Sequence, residues 1–140
     1  MSSLKPTLET RFHIDTEWWE RSGQDLMLAM RQICSEYAVD LPDQAADELI
    51  DWIDQTTGIV MQVSPFVYHF LRHCTTQEDY LTERTSLVEA VFRALLAAAN
   101  RPMTSVELAQ RIGRPAESIL AALSGRQVYK GIRPYTPPEP

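Results

Sequence analysis

Residues 101–135 have the sequence RPMTSVELAQRIGRPAESILAALSGRQVYKGIRPY, which carries the clearest local folding signals in the chain. Thr104 and Glu107 have the spacing of a capping box, so a helix is predicted to begin there. Gly113 can adopt the left-handed conformation that closes a helix, and Pro115 suits the first position of the next one. This stretch therefore predicts two short helices joined by a tight turn.

The two predicted helices end near Ile112 and Leu123, and a small hairpin is predicted to follow them. Ala109 is small enough to let the two helices cross closely, and Ile119 of the second helix is predicted to pack into that crossing. The Lys130-Gly131 pair supplies the positive φ that a tight hairpin turn requires. The strands predicted to pair across this turn are Gln127–Tyr129 and Ile132–Tyr135.

Charge changes sign along the chain. Residues 101–140 contain six Lys and Arg against three Glu, whereas residues 1–100 contain seven basic residues against sixteen acidic ones. The net charge of the whole chain is −6. An acidic body with a basic end favours a nucleic-acid partner at that end and argues against binding of DNA or anionic lipid by the whole surface.

The first hundred residues predict a helical body with little strand. Leu87 to Ala99 carries a broad apolar stripe with helical spacing and is the strongest helix prediction in this part. Ile59 to Val63 is rich in β-branched residues and predicts a short strand or an extended link. The other helices are predicted from Asp15 or Thr16 with a break at Gly23, from Asp43 to Gln55, from Pro65 to Cys74, and from Thr75-Thr76 with a break near Thr82.

A long helix, a short extended link at Met103, two crossing helices and a basic hairpin follow one another over about residues 84–135. In this order of elements the stretch resembles the winged helix-turn-helix family of bacterial regulators. The resemblance implies a mainly α fold, in which a helical N-terminal body packs on a C-terminal winged helix-turn-helix with a small β-hairpin wing. The predicted division is a flexible lead-in over 1–14, a helical dimerisation or interaction body over 15–82, the winged helix-turn-helix over 83–135 and a disordered Pro-rich tip over 136–140.

The resemblance implies that the second helix enters a DNA major groove and that the hairpin contacts the backbone or the minor groove. Phosphate contacts position such a module, whereas contacts to base edges give it sequence specificity. The positions that map to the groove are Arg114, Glu117, Ser118, Ala121 and Ala122. The positions that map to phosphate are Ser105, Arg126, Tyr129, Lys130 and Arg133. Between Pro115 and Leu123, however, there is no Arg, Lys, Asn or Gln to bind a base edge in a bidentate manner.

The predicted function is binding of double-stranded DNA in bacterial transcriptional regulation, by a homodimer, since twofold dimers match paired half-sites. The alternative is a protein–protein interaction adaptor that uses a winged helix without binding DNA. An acidic body and a second helix without basic residues suit that alternative better. The carboxylates of Asp47, Glu48, Asp51 and Asp54 are interpreted as the solvated face of a helix or, alternatively, as a docking site for a basic partner.

Other classes of function have little support in the sequence. No phosphate-binding loop or nucleophile–base motif is present, so neither an enzyme nor a cofactor is predicted. His69 and His73 have the spacing of zinc ligands, with Cys34 or His13 as the candidate third ligand. Two surface imidazoles beside a buried Cys74 thiol are the favoured interpretation, so no metal site is predicted. Cys34 and Cys74 are expected to be reduced in a cytoplasmic protein, with a pairing between them left open. No apolar run is long enough to cross a bilayer, and no membrane partner is predicted.

Overall fold

The computed structural model describes residues 5–43 and 48–138, and these contain six helices and five strands. In chain order the elements are β1 (Arg11–Ile14), α1 (Thr16–Arg21), α2 (Leu26–Ser35), β2 (Ile50–Ile53), β3 (Val60–Val63), α3 (Pro65–His73), α4 (Leu87–Ala97), β4 (Met103–Thr104), α5 (Ser105–Ile112), α6 (Ala116–Leu123) and β5 (Ile132–Pro134). Within the described ranges no helix has the length and apolar character needed to span a membrane.

The helices α5 and α6 form where the sequence predicts them. The Thr104 hydroxyl accepts a hydrogen bond from the Glu107 amide at 3.1 Å, and the Glu107 carboxylate accepts one from the Thr104 amide at 2.9 Å. Together these bonds complete the capping box. Gly113 ends α5 in the left-handed conformation with φ of 70°. The local signals for this pair of helices are confirmed.

A three-stranded antiparallel sheet joins the two ends of the chain, with strand order β4-β1-β5. Phe12 in β1 pairs with Met103 on one side and with Pro134 on the other. Phe12 and Ile14 are buried because alternate side chains of a strand point to the same face. The prediction of a flexible lead-in over 1–14 is therefore wrong for β1, which is the central strand of this sheet.

A second sheet of two strands stands where the sequence predicted a helix. β2 pairs with β3 in antiparallel register, from Ile50 opposite Val63 to Ile53 opposite Val60. The helix predicted over Asp43–Gln55 is therefore wrong where the structure describes it, and residues 44–47 lie outside the described ranges. A short apolar run suits a helix or a strand, and here the hydrogen bonds from β3 decide.

The prediction of a mainly α fold with a C-terminal winged helix-turn-helix is wrong. The described residues are 40% helical and 13% strand, and the strands form two antiparallel sheets, so the architecture is α/β. The turn at Lys130-Gly131 does form, with both residues at positive φ and a 2.9 Å hydrogen bond from the Ile132 amide to the Tyr129 carbonyl. Residues 127–129 form no strand, however, and β5 pairs with β1 instead. The predicted β-hairpin wing is not formed.

A single apolar core connects the helices to the three-stranded sheet. Its largest fully buried side chains include Phe12, Phe66, Phe70 and Phe92. Within this core a disulfide links Cys34 of α2 to Cys74, which follows α3, across a Cα–Cα distance of 5.6 Å. The expectation of two reduced thiols is wrong, because the packing of α2 against α3 brings the two side chains within bonding distance.

Candidate interaction surfaces

The helix predicted to enter a DNA groove, α6, presents small and acidic side chains to solvent. Glu117, Ser118 and Ala121 are exposed, and Ala122 is half-buried. Ile119 is fully buried, which fixes the face of α6 that points outward. The exposed positions offer no cation to a phosphate and no long hydrogen-bond donor to a base edge.

The Arg114 guanidinium joins the turn after α5 to the segment before α4. Its Nη2 donates a hydrogen bond to the carbonyl of Glu83 at 3.2 Å and another to the carbonyl of Thr85. These two bonds hold the side chain half-buried against its own protein. A contact from Nη2 to a base would require them to break.

Two further basic residues that map to phosphate are paired with carboxylates of the first hundred residues. Lys130 Nζ lies 3.2 Å from Glu89 Oε1, above the ring of Phe92 at 5.1 Å from its centroid. Arg133 Nη1 lies 3.2 Å from Asp15 Oδ2. Each cation therefore has a carboxylate partner within the chain, with which a phosphate would have to compete.

The remaining residues that map to phosphate differ in how accessible they are. Ser105 is fully buried at the start of α5, and its Oγ has no hydrogen-bond partner among the described residues. A phosphate cannot reach this hydroxyl without opening the core. Arg126 and Tyr129 are exposed after α6, and Arg126 forms no ion pair with any residue in the described ranges.

A buried ion cluster that the sequence analysis missed joins the β2–β3 hairpin to α5. Asp54, directly after β2, is only 6% exposed. Its Oδ2 lies 3.1 Å from Arg111 Nη2 and 4.0 Å from Arg101 Nη2. Its Oδ1 accepts hydrogen bonds from the amides of Thr56 and Thr57 at 2.8 and 3.2 Å. The interpretation of Asp54 as part of a solvated acidic face is therefore wrong.

Opposing effects act on the pKa of Asp54. Burial raises this pKa, since the charged form is poorly solvated. The amides of Thr56 and Thr57 and the guanidinium of Arg111 stabilise the charged form and together outweigh burial. The pKa of Asp54 therefore lies below its usual value, and its carboxylate is ionised at neutral pH.

These contacts show that part of the basic charge of residues 101–140 is paired within the fold. Basic residues of the C-terminal part pair with carboxylates of the preceding part: Lys130 with Glu89, Arg133 with Asp15, and Arg111 with Asp54. Opposite charges in two halves of a chain indicate pairing within the fold as readily as an external partner. The opposite charges of residues 1–100 and 101–140 could therefore have indicated that Asp54 has a basic partner within the chain.

A cavity of about 310 Å³ lies between the hairpin turn and α5, lined by Thr56, Thr57, Arg101, Met103, Glu107, Gln110 and Arg111. Arg101 lies 4.0 Å from Glu107 Oε2 as well as from Asp54 Oδ2. The two arginines are thus balanced by two carboxylates. The cavity offers no excess charge to a small ligand.

The β2–β3 hairpin has one face toward the protein and one toward solvent. The inner face is formed by Ile50, Trp52, Met61 and Val63, and the Trp52 ring packs edge-on against Tyr68 of α3 with centroids 6.0 Å apart. Alternation along the strands places Asp51, Ile53, Val60 and Gln62 on the opposite side. We call these four residues, with Leu49 directly before β2, the outer face.

The outer face is exposed, and three of its five residues are apolar. Leu49 is 61% exposed, Ile53 is 52% and Val60 is 56%, and Ile59 at the hairpin turn is 41% exposed. Ile53 and Val60 lie directly opposite each other in the ladder. Single exposed apolar residues are ordinary, but the adjacent pair Ile53 and Val60, with Leu49 beyond Asp51 on the same sheet face, favours an interaction site.

The histidines considered as metal ligands lie on α3. His69 and His73 stack with ring centroids 5.6 Å apart. Cys74 is bonded to Cys34, so neither thiol can serve as a third ligand while the disulfide is intact. The third histidine, His13, lies on β1, where burial lowers its pKa.

A comparison with protein-family models gave no match, and comparisons with the curated proteins and with the solved structures gave none either. Any function is therefore inferred from the residues and geometry described above.

Proposed function

We propose that the protein is an interaction module whose outer face binds a segment of another protein that carries apolar and basic side chains. The observation that carries this proposal is the exposure of Leu49, Ile53 and Val60 on one face of the β2–β3 hairpin. Covering these aliphatic side chains would remove apolar surface from water, which is the main driving force of protein association.

The charge around the outer face specifies the chemistry of the partner. Residues 48–63 contain no Lys or Arg, and their only charged residues are Glu48, Asp51 and Asp54. Asp54 is neutralised by Arg111, so Glu48 and Asp51 remain exposed. Complementary charge accelerates association and excludes like-charged partners, so a basic segment is favoured over an acidic one.

Binding of a labelled peptide tests this proposal. A fluorescein-labelled strand peptide of alternating Val and Lys is expected to bind in an anisotropy titration, whereas the same peptide with Glu in place of Lys is not. The Ile53→Ser/Val60→Ser variant is expected to bind the Lys peptide at least tenfold more weakly, since each lost aliphatic contact is worth on the order of 1 kcal/mol. Val106→Ser, on the exposed side of α5, is the matched control and leaves binding unchanged.

An exchange of charge separates the apolar contribution from the electrostatic one. Asp51→Lys is expected to weaken binding of the Lys peptide and to permit binding of the Glu peptide. Equal binding of the two peptides by the natural chain, or unchanged binding by Ile53→Ser/Val60→Ser, would refute the proposal.

Binding of double-stranded DNA by a transcriptional regulator is the second candidate function. The exposed Arg126 and Tyr129 beyond α6 favour it, since neither side chain is buried against the protein. A random-sequence duplex titrated at low and near-physiological salt tests it, because phosphate contacts weaken steeply as salt rises. Arg126→Ala is expected to have a larger effect than Lys130→Ala/Arg133→Ala, whose cations are already paired with Glu89 and Asp15. Absence of binding at low salt would reject this candidate.

A further inference from the structure

One edge of β3 carries backbone groups that are not paired within the sheet. The Asp54 amide donates to the Ile59 carbonyl at 2.9 Å, which places these two residues at a hydrogen-bonding position of the ladder, although the Ile59 amide donates to Thr57 Oγ1 at 3.2 Å. Hydrogen-bonded and non-hydrogen-bonded pairs alternate along an antiparallel ladder. Met61 and Val63 are therefore bonded to β2, whereas Val60 and Gln62 direct their N–H and C=O groups away from it.

No other strand in the described ranges pairs with that outward edge. Edge strands are usually protected from association by charged residues or by proline within the strand. β3 has the sequence Val60-Met61-Gln62-Val63 and carries neither. Residues 55–71 as a whole contain no Asp, Glu, Lys or Arg. The edge is therefore open and uncharged in an otherwise acidic protein.

We propose that β3 pairs with β3 of a second copy of this chain, in antiparallel register about a twofold axis at Met61. The two hairpins then form one four-stranded sheet of order β2-β3-β3-β2. Val60 of each copy lies opposite Gln62 of the other, and each such pair exchanges two hydrogen bonds. This interface is distinct from the outer face and goes beyond the proposed function.

A second copy fits this edge because the edge is self-complementary. The outward groups of Val60 and Gln62 stand symmetrically on either side of Met61, so a twofold axis there satisfies all of them. No like charges meet at the axis, although copies with a net charge of −6 repel each other elsewhere. A two-stranded hairpin is only marginally stable by itself, and four strands make a more stable sheet.

Pairing at this edge also enlarges the proposed binding surface. The outer faces of the two copies become adjacent on one side of the sheet, with Val60 of one copy beside Gln62 of the other. A dimer therefore presents two copies of Ile53 and Leu49 to one partner.

Sedimentation equilibrium over a wide concentration range measures the association. The mass is expected to rise from 16.0 kDa toward twice that value as concentration increases. Gln62→Pro removes an outward N–H and leaves the bonds between β2 and β3 in place, so it is expected to weaken the dimer at least tenfold. A mass of one chain at every concentration, or an unchanged dimer in Gln62→Pro, would overturn the proposal.

Disulfide crosslinking tests the register of the two β3 strands, and it remains informative if the Gln62→Pro variant does not fold. Residues opposed at a non-hydrogen-bonded position have Cα atoms about 4.5 Å apart, within the range of a disulfide. Met61→Cys is therefore expected to form a disulfide-linked dimer with diamide, on a non-reducing gel. Gln62→Cys is the matched control, since its diagonal counterpart lies roughly 7–8 Å away. Equal crosslinking of both variants would refute the twofold axis at Met61.

A variant of the outer face outside β3 distinguishes this inference from the proposed function. Leu49→Ser/Ile53→Ser is expected to lose the Lys peptide and to retain the dimer, because neither residue lies on β3. A dimer that dissociates in that variant would show association through the outer face and would overturn pairing at the edge. A third outcome is that the chain stays a monomer, binds the Lys peptide, and loses that binding in Gln62→Pro. That result would overturn self-association and show that the edge of β3 pairs with a strand of a different protein.

Discussion

Replacing Asp54 with Asn tests whether the buried cluster holds the hairpin against α5. Asn keeps an oxygen that can accept the amides of Thr56 and Thr57, but it loses the charge that pairs with Arg111 at 3.1 Å. The substitution therefore isolates the ionic part of the cluster. Asp51→Asn, at an exposed position of β2 three residues earlier, is the matched control.

The expected loss of stability in Asp54→Asn depends on how deeply Asp54 and its two arginine partners are buried. A hydrogen bond to a charged group contributes about 1.5–3 kcal/mol, and removing one member of a fully buried pair costs about 3–5 kcal/mol. The side chains of Arg101 and Arg111 are 17% and 20% exposed, so water can partly replace the lost carboxylate. We expect Asp54→Asn to lower the free energy of unfolding by about 2 kcal/mol. Asp54→Ala also loses the two amide bonds and is expected to cost about 3–4 kcal/mol.

Thermal and urea unfolding measure these values. A loss of about 2 kcal/mol corresponds to a fall in Tm of roughly 8 °C for a chain of this size. Asp51→Asn is expected to change the free energy of unfolding by no more than about 0.5 kcal/mol. An equal effect of Asp51→Asn and Asp54→Asn would refute the assignment of a structural role to the cluster.

The pH dependence supplies an independent check on Asp54. Because its pKa is lower in the folded protein, its charged form contributes stability above the unfolded pKa of about 3.9. This contribution is lost as pH falls through the folded pKa. The difference in stability between the natural chain and Asp54→Asn should therefore be constant near neutral pH and shrink in strong acid. A difference that grows on acidification would contradict the lowered pKa.

Two other sets of substitutions, at the disulfide and at two glycines, each have a control and a measurement. Cys34→Ser/Cys74→Ser removes a crosslink between residues 40 apart in sequence and is expected to cost about 4 kcal/mol in urea unfolding. Dithiothreitol should lower the stability of the natural chain by a similar amount and leave the variant unchanged; insensitivity of both would exclude the disulfide. Gly131→Ala places a Cβ 2.7 Å from Trp19 Nε1 at a φ of +73°, and is expected to cost about 3 kcal/mol and to shift tryptophan fluorescence. Gly58→Ala has a similar φ but no atom within 4 Å of the added Cβ, so a cost of only about 1 kcal/mol is expected; equal costs would show that the contact with Trp19 is unimportant.

The sequence predicts those elements whose signals are local. α5 begins at a capping box whose two residues are three apart, and it ends at a glycine whose conformation depends on its own backbone. The turn at Lys130-Gly131 is likewise a property of neighbouring residues and forms as predicted. Such features need no knowledge of the rest of the fold.

The elements that were predicted wrongly depend on partners distant in sequence. Ile50 to Ile53 is a strand because β3 lies beside it, and no property of those four residues alone selects strand over helix. β1 was missed because its partners are β4 and β5, about ninety or more residues away. The predicted wing failed for the same reason, since β5 pairs with β1 in place of residues 127–129.

The candidate interaction surface was recognised only in part. An acidic docking site for a basic partner was considered, but on a helix, where Asp51 and Asp54 would lie on the same polar side. As a strand, the same residues divide differently, with exposed Asp51 between Leu49 and Ile53, and with Asp54 buried beyond the strand end. The secondary structure of this segment thus decides which of the two carboxylates is available to a partner.

The central position of β1 also has a consequence for synthesis of the chain. β1 is synthesised before β5, yet Ile14 pairs with Ile132. At about 5–20 residues per second, the ribosome needs roughly 6–24 s to add the residues between them. During that interval Phe12 and Ile14, both buried in the finished protein, lack the partner strand on that side. A chain that stalls before residue 132 therefore keeps β1 without its β5 partner, with one strand edge unpaired.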